Sequence, residues 1–576
     1  MTGRDHAARR AIRRWVPGFG TAATYESSWL WPDLSAGLVL TALLVPQGMA
    51  YAELAGLPAV TGLYTTVAAL VAYALFGPSR TLVLGPDSSL APLIAATVLP
   101  LAAGGNTPTV AIASMLSLMV GAICVLTGVA RLGNVTELLS KPARIGYING
   151  IALIVLVSQL PKLFGISTDA DGFVGRLGDF GRRVLDGETN GTALTIGVLS
   201  LAIIYGARRI SPKLPGVLLA TVAAVALVSS LDLTSVALVG ALPEGFPVLA
   251  LPSVEWREAG ALAAAALGVA LVAFADTAAL STTFASQLGD DVDPNQEVIA
   301  LGMANIAAGL VRGFPMSASS SRTTVAHALG TRSQLTGLVG AVSITLLILF
   351  GNEVLANLPS ATLAAIVIAA SMTLFDAAAM RSLWQMRWSE FLLATAAVLG
   401  VLLIGVLEGI AVAVILSLVN FIRRAWRPYD AVLGRIDGVR GYHDVERHPE
   451  AARIPGLIVF RFDAPLFFAN AQHFQRRLAR AIKLAPWPVE TVIVAAEPIT
   501  DIDTTASEVL AEILDEFEAR NIRLAFAELK GPVKDRLKSY GLFDRIGPAN
   551  FHPTLGTSTT AYVKRAGIDW VDWTDR

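Results

Sequence analysis

Cysteine is nearly absent from these 576 residues: Cys124 stands alone inside an apolar run, which excludes an intrachain disulfide and a cysteine-based zinc site. The six histidines, His6, His327, His443, His448, His473 and His552, fall at no metal-ligand spacing. Charge is scarce too. Lys and Arg number 44 and Asp and Glu 45, 15% of the chain, where a soluble domain carries about a quarter. A net charge of −1 removes the basic field that nucleic-acid binding needs. No Gly-Lys-Ser/Thr phosphate loop and no nucleophile paired with a base occurs, so neither an ATP-driven motor nor an enzyme is expected.

What the chain has in abundance is hydrophobicity, 54% of residues. Of its 89 charges, 41 lie in the last 151 residues, dividing a large apolar part from a small polar one. A hydrocarbon core of about 30 Å takes roughly 20 helical residues. Apolar runs approaching that length recur at 34–52, 59–76, 109–130, 143–160, 191–207, 214–231, 259–281, 297–311, 334–351, 359–375, 391–407 and 409–422. Two more segments, 86–101 and 317–330, are shorter and begin in turns rich in Gly, Pro, Ser and Asp, which brings the expected number to fourteen.

These two odd segments stand third in the first seven and third in the second seven. Interrupted helices at matching positions of two halves point to the midplane site of a transporter. An odd number of crossings per half also makes the second repeat inverted. The expected organisation is an N-terminal segment 1–33, a transmembrane domain 34–425 with repeats at about 34–232 and 258–425, a linker 426–455, and a small α/β domain 456–570. That last domain is read from apolar runs at 456–462, 491–496 and 522–526 alternating with amphipathic stretches at 472–482, 504–518 and 532–539.

Basic residues set the orientation. Arg4, Arg9, Arg10, Arg13 and Arg14 precede the first span; Arg131, Lys141 and Arg144, then Arg208, Arg209 and Lys213, then Arg381 and Arg387, then Arg423, Arg424 and Arg427 fall on the same side of the bilayer. Both termini are therefore expected in the cytoplasm, with the spans in the cell's inner (plasma) membrane. Arg176, Arg182 and Arg183 face outward in this scheme but are offset by Asp169, Asp171, Asp179, Asp186 and Glu188.

An ionisable side chain inside a membrane costs about 2.5–3.5 kcal/mol on insertion scales, which makes each one a functional candidate. Asp87, Asp276, Arg322 and His327 qualify, whereas Glu53 and Glu353 lie near span ends. The second interrupted segment opens with Gly313-Phe-Pro-Met-Ser-Ala-Ser-Ser-Ser-Arg322, the first with Gly85-Pro-Asp-Ser-Ser-Leu90. Two helix N-termini meeting near the midplane would offer unpaired N–H groups and partial positive charge to an anion. Serine hydroxyls such as Ser88 add donors, and Arg322 adds a permanent charge. Asp276 is the natural coupling residue, since an acid poised between burial and a nearby cation can bind and release a proton. A static ion pair between Asp276 and Arg322 is the competing expectation.

Along the chain stand Val45-Pro-Gln-Gly-Met-Ala-Tyr-Ala-Glu-Leu-Ala-Gly-Leu-Pro58, Gly62-Leu-Tyr64, Gly77-Pro-Ser-Arg80, Gly85-Pro-Asp87, Pro142 to Gly150, Gln159-Leu160, Leu363-Ala-Ala-Ile-Val-Ile368 and Phe467-Phe-Ala-Asn-Ala471. In this order these motifs resemble the SulP family of anion permeases, whose animal members include prestin. The last motif resembles a STAS domain. The resemblance covers nearly the whole chain and implies fourteen segments as two inverted repeats, a mobile core beside a gate, and an anion held between segments three and ten. It also implies substrate contacts from Gln47, Tyr51, Pro86, Asp87, Ser321 and Arg322, ligand coordination by Ala318, Ser319 and Ser320, and cation coupling by Asp276.

Two departures from relatives bear on mechanism. Animal members tend to carry an aromatic residue where Asp87 stands here, so Asp87 is expected to share the coupling role or to hold Arg80 or Arg322. Sodium-coupled bicarbonate relatives place a Thr one turn beyond the eighth-segment acid and lack the Arg; here those positions are Leu280 and Arg322, which favours protons over sodium. In the STAS-like part, Thr505 in Asp501-Ile-Asp503-Thr504-Thr505-Ala506 matches a phosphate-acceptor position, while Asp503 is also an ordinary helix cap. The expected function is proton-coupled import of a small oxyanion, sulfate first, by elevator-like movement of a homodimeric carrier without a cofactor. Bicarbonate transport, chloride exchange or channel-like conduction, nucleobase symport and a membrane anchor for STAS signalling are the alternatives.

Overall fold

The structure, a computed structural model, describes residues 15–570 except 134–139, 169, 171, 212–213, 232, 234, 242–244, 246, 248 and 289–291. Arg4, Arg9, Arg10, Arg13, Arg14, Asp169, Asp171 and Lys213, used above for orientation, lie outside the described residues. The chain forms two compact units, Met1–Ser417 and Leu418–Arg576.

The first half of the large unit contains α1 (Pro17–Ala23), α2 (Leu30–Leu54), α3 (Ala59–Phe76), β1 (Leu84–Gly85), α4 (Ala91–Gly104), α5 (Thr109–Val129), α6 (Lys141–Phe164), α7 (Gly172–Leu185), α8 (Gly191–Ile210) and α9 (Gly216–Leu231). The second half contains α10 (Trp256–Leu288), α11 (Pro294–Leu310), β2 (Ser317–Ala318), α12 (Ser320–Ala328), α13 (Leu335–Phe350), α14 (Asn352–Ala356), α15 (Ser360–Leu374), α16 (Ala377–Met386), α17 (Trp388–Leu403) and the start of α18 (Val406–Trp426), whose residues from Leu418 onward belong to the second unit. Each of the fourteen expected segments coincides with a helix, and α1, α7, α14 and α16 are additional short ones. Among the described residues, eight helices have the length and apolar composition to cross a membrane.

Proline and glycine punctuate these helices as their backbone chemistry requires. Pro58, Pro108 and Pro359 stand immediately before α3, α5 and α15, where a missing N–H costs nothing in the helix. Gly165 ends α6 in the left-handed region at φ 66°, a conformation open to glycine. The α2–α3 crossing depends on absent side chains, because a Cβ on Gly62 would collide with the Gly48 carbonyl. At α5 and α11 the closeness is mutual: a Cβ on Gly121 would stand 2.7 Å from the Gly302 carbonyl oxygen, and one on Gly302 2.7 Å from that of Gly121.

Two carboxylates unremarked in the sequence are interior fastenings. Asp33 is fully buried at the start of α2 and accepts from Arg332 N (2.8 Å), Ser333 N (3.2 Å), Ser333 Oγ (2.6 Å) and Thr336 Oγ1 (3.1 Å), clasping the start of α13. Glu297 on α11 is buried and accepts from the Tyr73 hydroxyl of α3 at 2.7 Å and from Ser281 Oγ of α10 at 2.8 Å. Several donors per carboxylate replace the lost water.

The second unit is built on a six-stranded sheet of β3 (Asp430–Arg435), β4 (Tyr442–Asp444), β5 (Leu457–Phe462), β6 (Thr491–Ala495), β7 (Arg523–Ala527) and β8 (Phe551–His552), in the order β4-β3-β5-β6-β7-β8. Its helices are α19 (Ala471–Lys483), α20 (Thr504–Ala519), α21 (Gly531–Ser539), α22 (Leu542–Ile546) and α23 (Leu555–Ala566). Alternation along β5 and β6 sends Ile458, Phe460, Val492 and Val494 into the core beneath α19–α22, and Leu457, Val459, Ile493 and Ala495 toward Tyr562 of α23. The stretch 426–455 is therefore not simply a linker. It supplies β3, antiparallel to β5 in the register Val432↔Phe460, and β4. Pairing with a buried neighbour makes a strand of a segment whose own composition is too polar to announce one.

Candidate functional site

The two interrupted segments owe their short helices to what precedes them. In each, two residues run extended before the helix starts, at Ala91 rather than 86 and at Ser320 rather than 317. These extended pairs bond to one another as β1 and β2, antiparallel, with Leu84 opposite Ala318 and Gly85 opposite Ser317. Further bonds extend the junction: Ser319 N donates to Val83 O at 3.1 Å, and Val83 N to Thr323 Oγ1 at 3.1 Å. Ala318 N donates to Thr277 Oγ1 of α10 at 3.2 Å. The segments leading into α4 and α12 thus meet, and α2 packs against both helices.

Arg322 lies in the first turn of α12 and is fully buried. Its Nη2 donates to the carbonyl oxygens of Pro86 at 2.6 Å and Gly85 at 3.2 Å, while Nε and Nη1 have no protein partner. A buried guanidinium with two donor nitrogens unspent is costly unless something anionic completes it. Gly85 is what allows the approach, because a Cβ there would stand 2.9 Å from Nη1. Among the described residues Arg322 forms no ion pair, so the expected static pairing with Asp276 is absent.

The acids form their own cluster. Ser89 Oγ lies 2.8 Å from Asp87 Oδ2 and 2.9 Å from Asp276 Oδ2, and Ser89 N donates to Asp87 Oδ2 at 3.0 Å. Asp87 therefore spends its carboxylate at the start of α4 and makes no ion pair with Arg80 or Arg322; Arg80 instead lies 5.6 Å from the centre of the Trp29 ring. The helix tips are unequal in consequence. An acid offsets the positive end of α4, whereas α12 keeps its first-turn N–H groups and adds Arg322. A single hydroxyl hydrogen cannot satisfy both carboxylates, so both Ser89 contacts become hydrogen bonds only when a proton is added.

Around this junction, Gln47 and Tyr51 are buried on α2, and Gln47 Oε1 has no protein partner. Pro46 removes one backbone donor from the same helix. Ser88 and Ala318 are buried; Ser319 is buried with its Oγ 3.3 Å from that of Ser321, and Ser320 and Ser321 are exposed. Asp87 and Asp276 are partly exposed. The Pro86 carbonyl is engaged by Arg322, which makes Pro86 a support for the guanidinium. His327 packs against Phe284, ring centres 5.7 Å apart, away from these bonds. Sequence reasoning missed Ser89, Thr277 and Thr323. Their position beside Asp87, Asp276 and Arg322 was the available signal. In the second unit, Thr505 is exposed in the first turn of α20, and Asp503 caps that turn by accepting from Ala506 N at 2.7 Å.

Residues 30–397 match the sulfate permease family, and residues 448–558 match the STAS domain. The chain belongs to the sulfate permease family. Among members of the sulfate permease family it is 39% identical over 553 residues to a probable sulfate transporter of Mycobacterium tuberculosis, covering 96% of this chain and 98% of the relative. Sulfate transporter 4.1, chloroplastic, of Arabidopsis thaliana is 28% identical over 557 residues, covering 92% and 80%. In fold, the chain matches murine Solute Carrier 26 family member A9 with a TM-score of 0.87 at 22% identity, covering 95% of this chain and 94% of that one. The transmembrane domain of the cyanobacterial bicarbonate transporter BicA matches with a TM-score of 0.59 at 22% identity, over 68% and 98%. A sulfate permease family chain with these relatives is a multi-pass membrane transporter of anions carrying a STAS domain, and not an enzyme.

Proposed function

We propose that this chain is a proton-coupled sulfate importer of the inner (plasma) membrane, with both termini cytoplasmic. The observation that carries the reading is Arg322, buried where the segments leading into α4 and α12 pair, with Nε and Nη1 unpartnered. Sulfate would complete those donors and receive the first-turn N–H groups of α12, with Ser319, Ser320 and Ser321 supplying hydroxyls and Gln47, Tyr51 and Ser88 closing the opposite side. Sulfate transporters among the relatives support the choice of anion.

Proton coupling follows from the acid cluster. A proton on Asp276 lets its carboxyl donate to Ser89 while Ser89 donates to Asp87, which turns two opposed carboxylates into a chain of hydrogen bonds. Neutralising Asp276 lowers the cost of carrying the loaded site past an apolar barrier. The β1–β2 pairing ties the two tips together, so the site travels as one body against a gate, in the elevator manner. Leu280, one turn beyond Asp276, offers no oxygen to sodium. A homodimer is the expected assembly.

The test is uptake by purified protein in proteoliposomes, with a proton or a sodium gradient imposed and with bicarbonate or chloride as competitor. The reading requires sulfate accumulation under the proton gradient. Equal uptake with no gradient, accumulation under sodium alone, or bicarbonate outcompeting sulfate would overturn it.

A further inference from the structure

In the second unit, Arg423, Trp426, Arg427, His473 and Arg476 surround a cavity of about 370 Å³ with no carboxylate in its lining. Arg423 and Trp426 form the last turn of α18, Arg427 follows it, and His473 and Arg476 stand three residues apart on α19. The neighbouring Arg477 is neutralised by Asp430, its Nε 2.9 and 2.7 Å from the two carboxylate oxygens. Arg423, by contrast, reaches only the Asn420 amide oxygen at 3.4 Å. Arg427 and Arg476 form no ion pair among the described residues. Burial holds His473 below the ordinary histidine value; Arg476, Arg477 and Arg427 push the same way, and Asp430 opposes them. The cavity therefore presents three guanidinium charges that form no ion pair among the described residues.

The surface leading to it is apolar. Val419 and Ile422 are exposed and lie four residues before Arg423 and Trp426, on the same faces of α18. An apolar stripe ending in arginines and an indole is the pattern of a helix at the water boundary of a bilayer. A free anion would use the guanidiniums but not the stripe; a lipid uses both. We infer that this cavity binds the phosphate headgroup of an anionic phospholipid of the adjoining leaflet, its acyl chains lying along Val419 and Ile422. Arginine suits the task because its planar donors match phosphate oxygens in pairs.

The experiment uses the full-length chain in mixed micelles of phosphatidylglycerol and phosphatidylcholine, with retained lipid counted by native mass spectrometry. The wild type should retain phosphatidylglycerol over phosphatidylcholine by about tenfold or more, given roughly fivefold per cation near an anionic surface. Arg476→Gln, which leaves the basic flank of α18 intact for membrane insertion, should lower that retention about fivefold. Arg423→Gln and Arg427→Gln in addition should abolish the preference, while Arg480→Gln on α19, outside the cavity, should not change it. Three results would overturn the inference: retention unaffected by Arg476→Gln, equal loss with Arg480→Gln, or displacement of the lipid by millimolar inorganic phosphate, which would mark a site for a soluble phosphate compound. None of these readouts depends on sulfate transport.

Discussion

Truncating Arg322 tests the anion site most directly. The side chain keeps two donor nitrogens, Nε and Nη1, free of protein partners, and one hydrogen bond from each to a charged group is worth about 1.5–3 kcal/mol. Losing both from bound sulfate amounts to roughly 3–6 kcal/mol, or about a 10²- to 10⁴-fold weakening at 1.4 kcal/mol per decade. Arg322→Ala also strands the Gly85 and Pro86 carbonyls, at about 1–3 kcal/mol each in stability, so folding must be followed separately. Arg322→Lys retains the charge and one donor, and its sulfate affinity should lie between wild type and Arg322→Ala. Equilibrium binding of radiolabelled sulfate to purified protein, paired with thermal unfolding, separates the two effects. If Arg322→Ala melts near wild type and still binds sulfate within threefold, the guanidinium is a strut for β1 and not a ligand for the anion.

Asp276→Asn should abolish accumulation under a proton gradient yet leave sulfate exchange measurable; normal accumulation would remove Asp276 from the coupling. Ser89→Ala takes away the hydroxyl shared by the two acids, so the pH profile of uptake should shift by more than sulfate affinity at its optimum changes, and an unmoved profile would count against the cluster. Gly62→Ala forces α2 and α3 apart at the Gly48 carbonyl, an overpacking of about 1–3 kcal/mol or more, which a lower melting temperature of the purified protein should report. In the second unit, burial holds His473 and His552 below the ordinary histidine value. The unfolded chain then takes up protons first as pH falls, so this contribution to stability is complete above the ordinary histidine value and is lost below it. Hydrogen exchange of β8 amides in the full-length chain should accelerate relative to its intrinsic rate between neutral and mildly acidic pH, and less so in His552→Phe.

Hydropathy located the long helices of the large unit, because every turn of a spanning helix satisfies its own backbone and the apolar run is the whole local signal. The extended residues before α4 and α12 were legible only as turns; their bonding to each other depends on a partner across the chain. Arg322 was visible as a lone cation in an apolar setting, but nothing local foretold that it would hold the Gly85 and Pro86 carbonyls. Glu297 and Asp33 were hidden for a related reason. A carboxylate near a span end reads as interfacial until its donors are known, and these stand 224 residues away at Tyr73 and 300 at Ser333. β3 escaped notice because Asp430, Gly434 and Arg435 dilute its alternation.

The pairing of Leu84 opposite Ala318 carries a consequence for synthesis. At about 5–20 residues per second, the roughly 230 residues separating them take on the order of 10–50 s to emerge. Throughout that interval the carbonyls of Val83 and Gly85 await Ser319 and Arg322 in a solvent that cannot hydrate them. The newborn first half is thus a client for whatever shelters incomplete chains at the insertion machinery, and a ribosome stalled between α9 and α12 would leave a fragment suited to proteolytic removal.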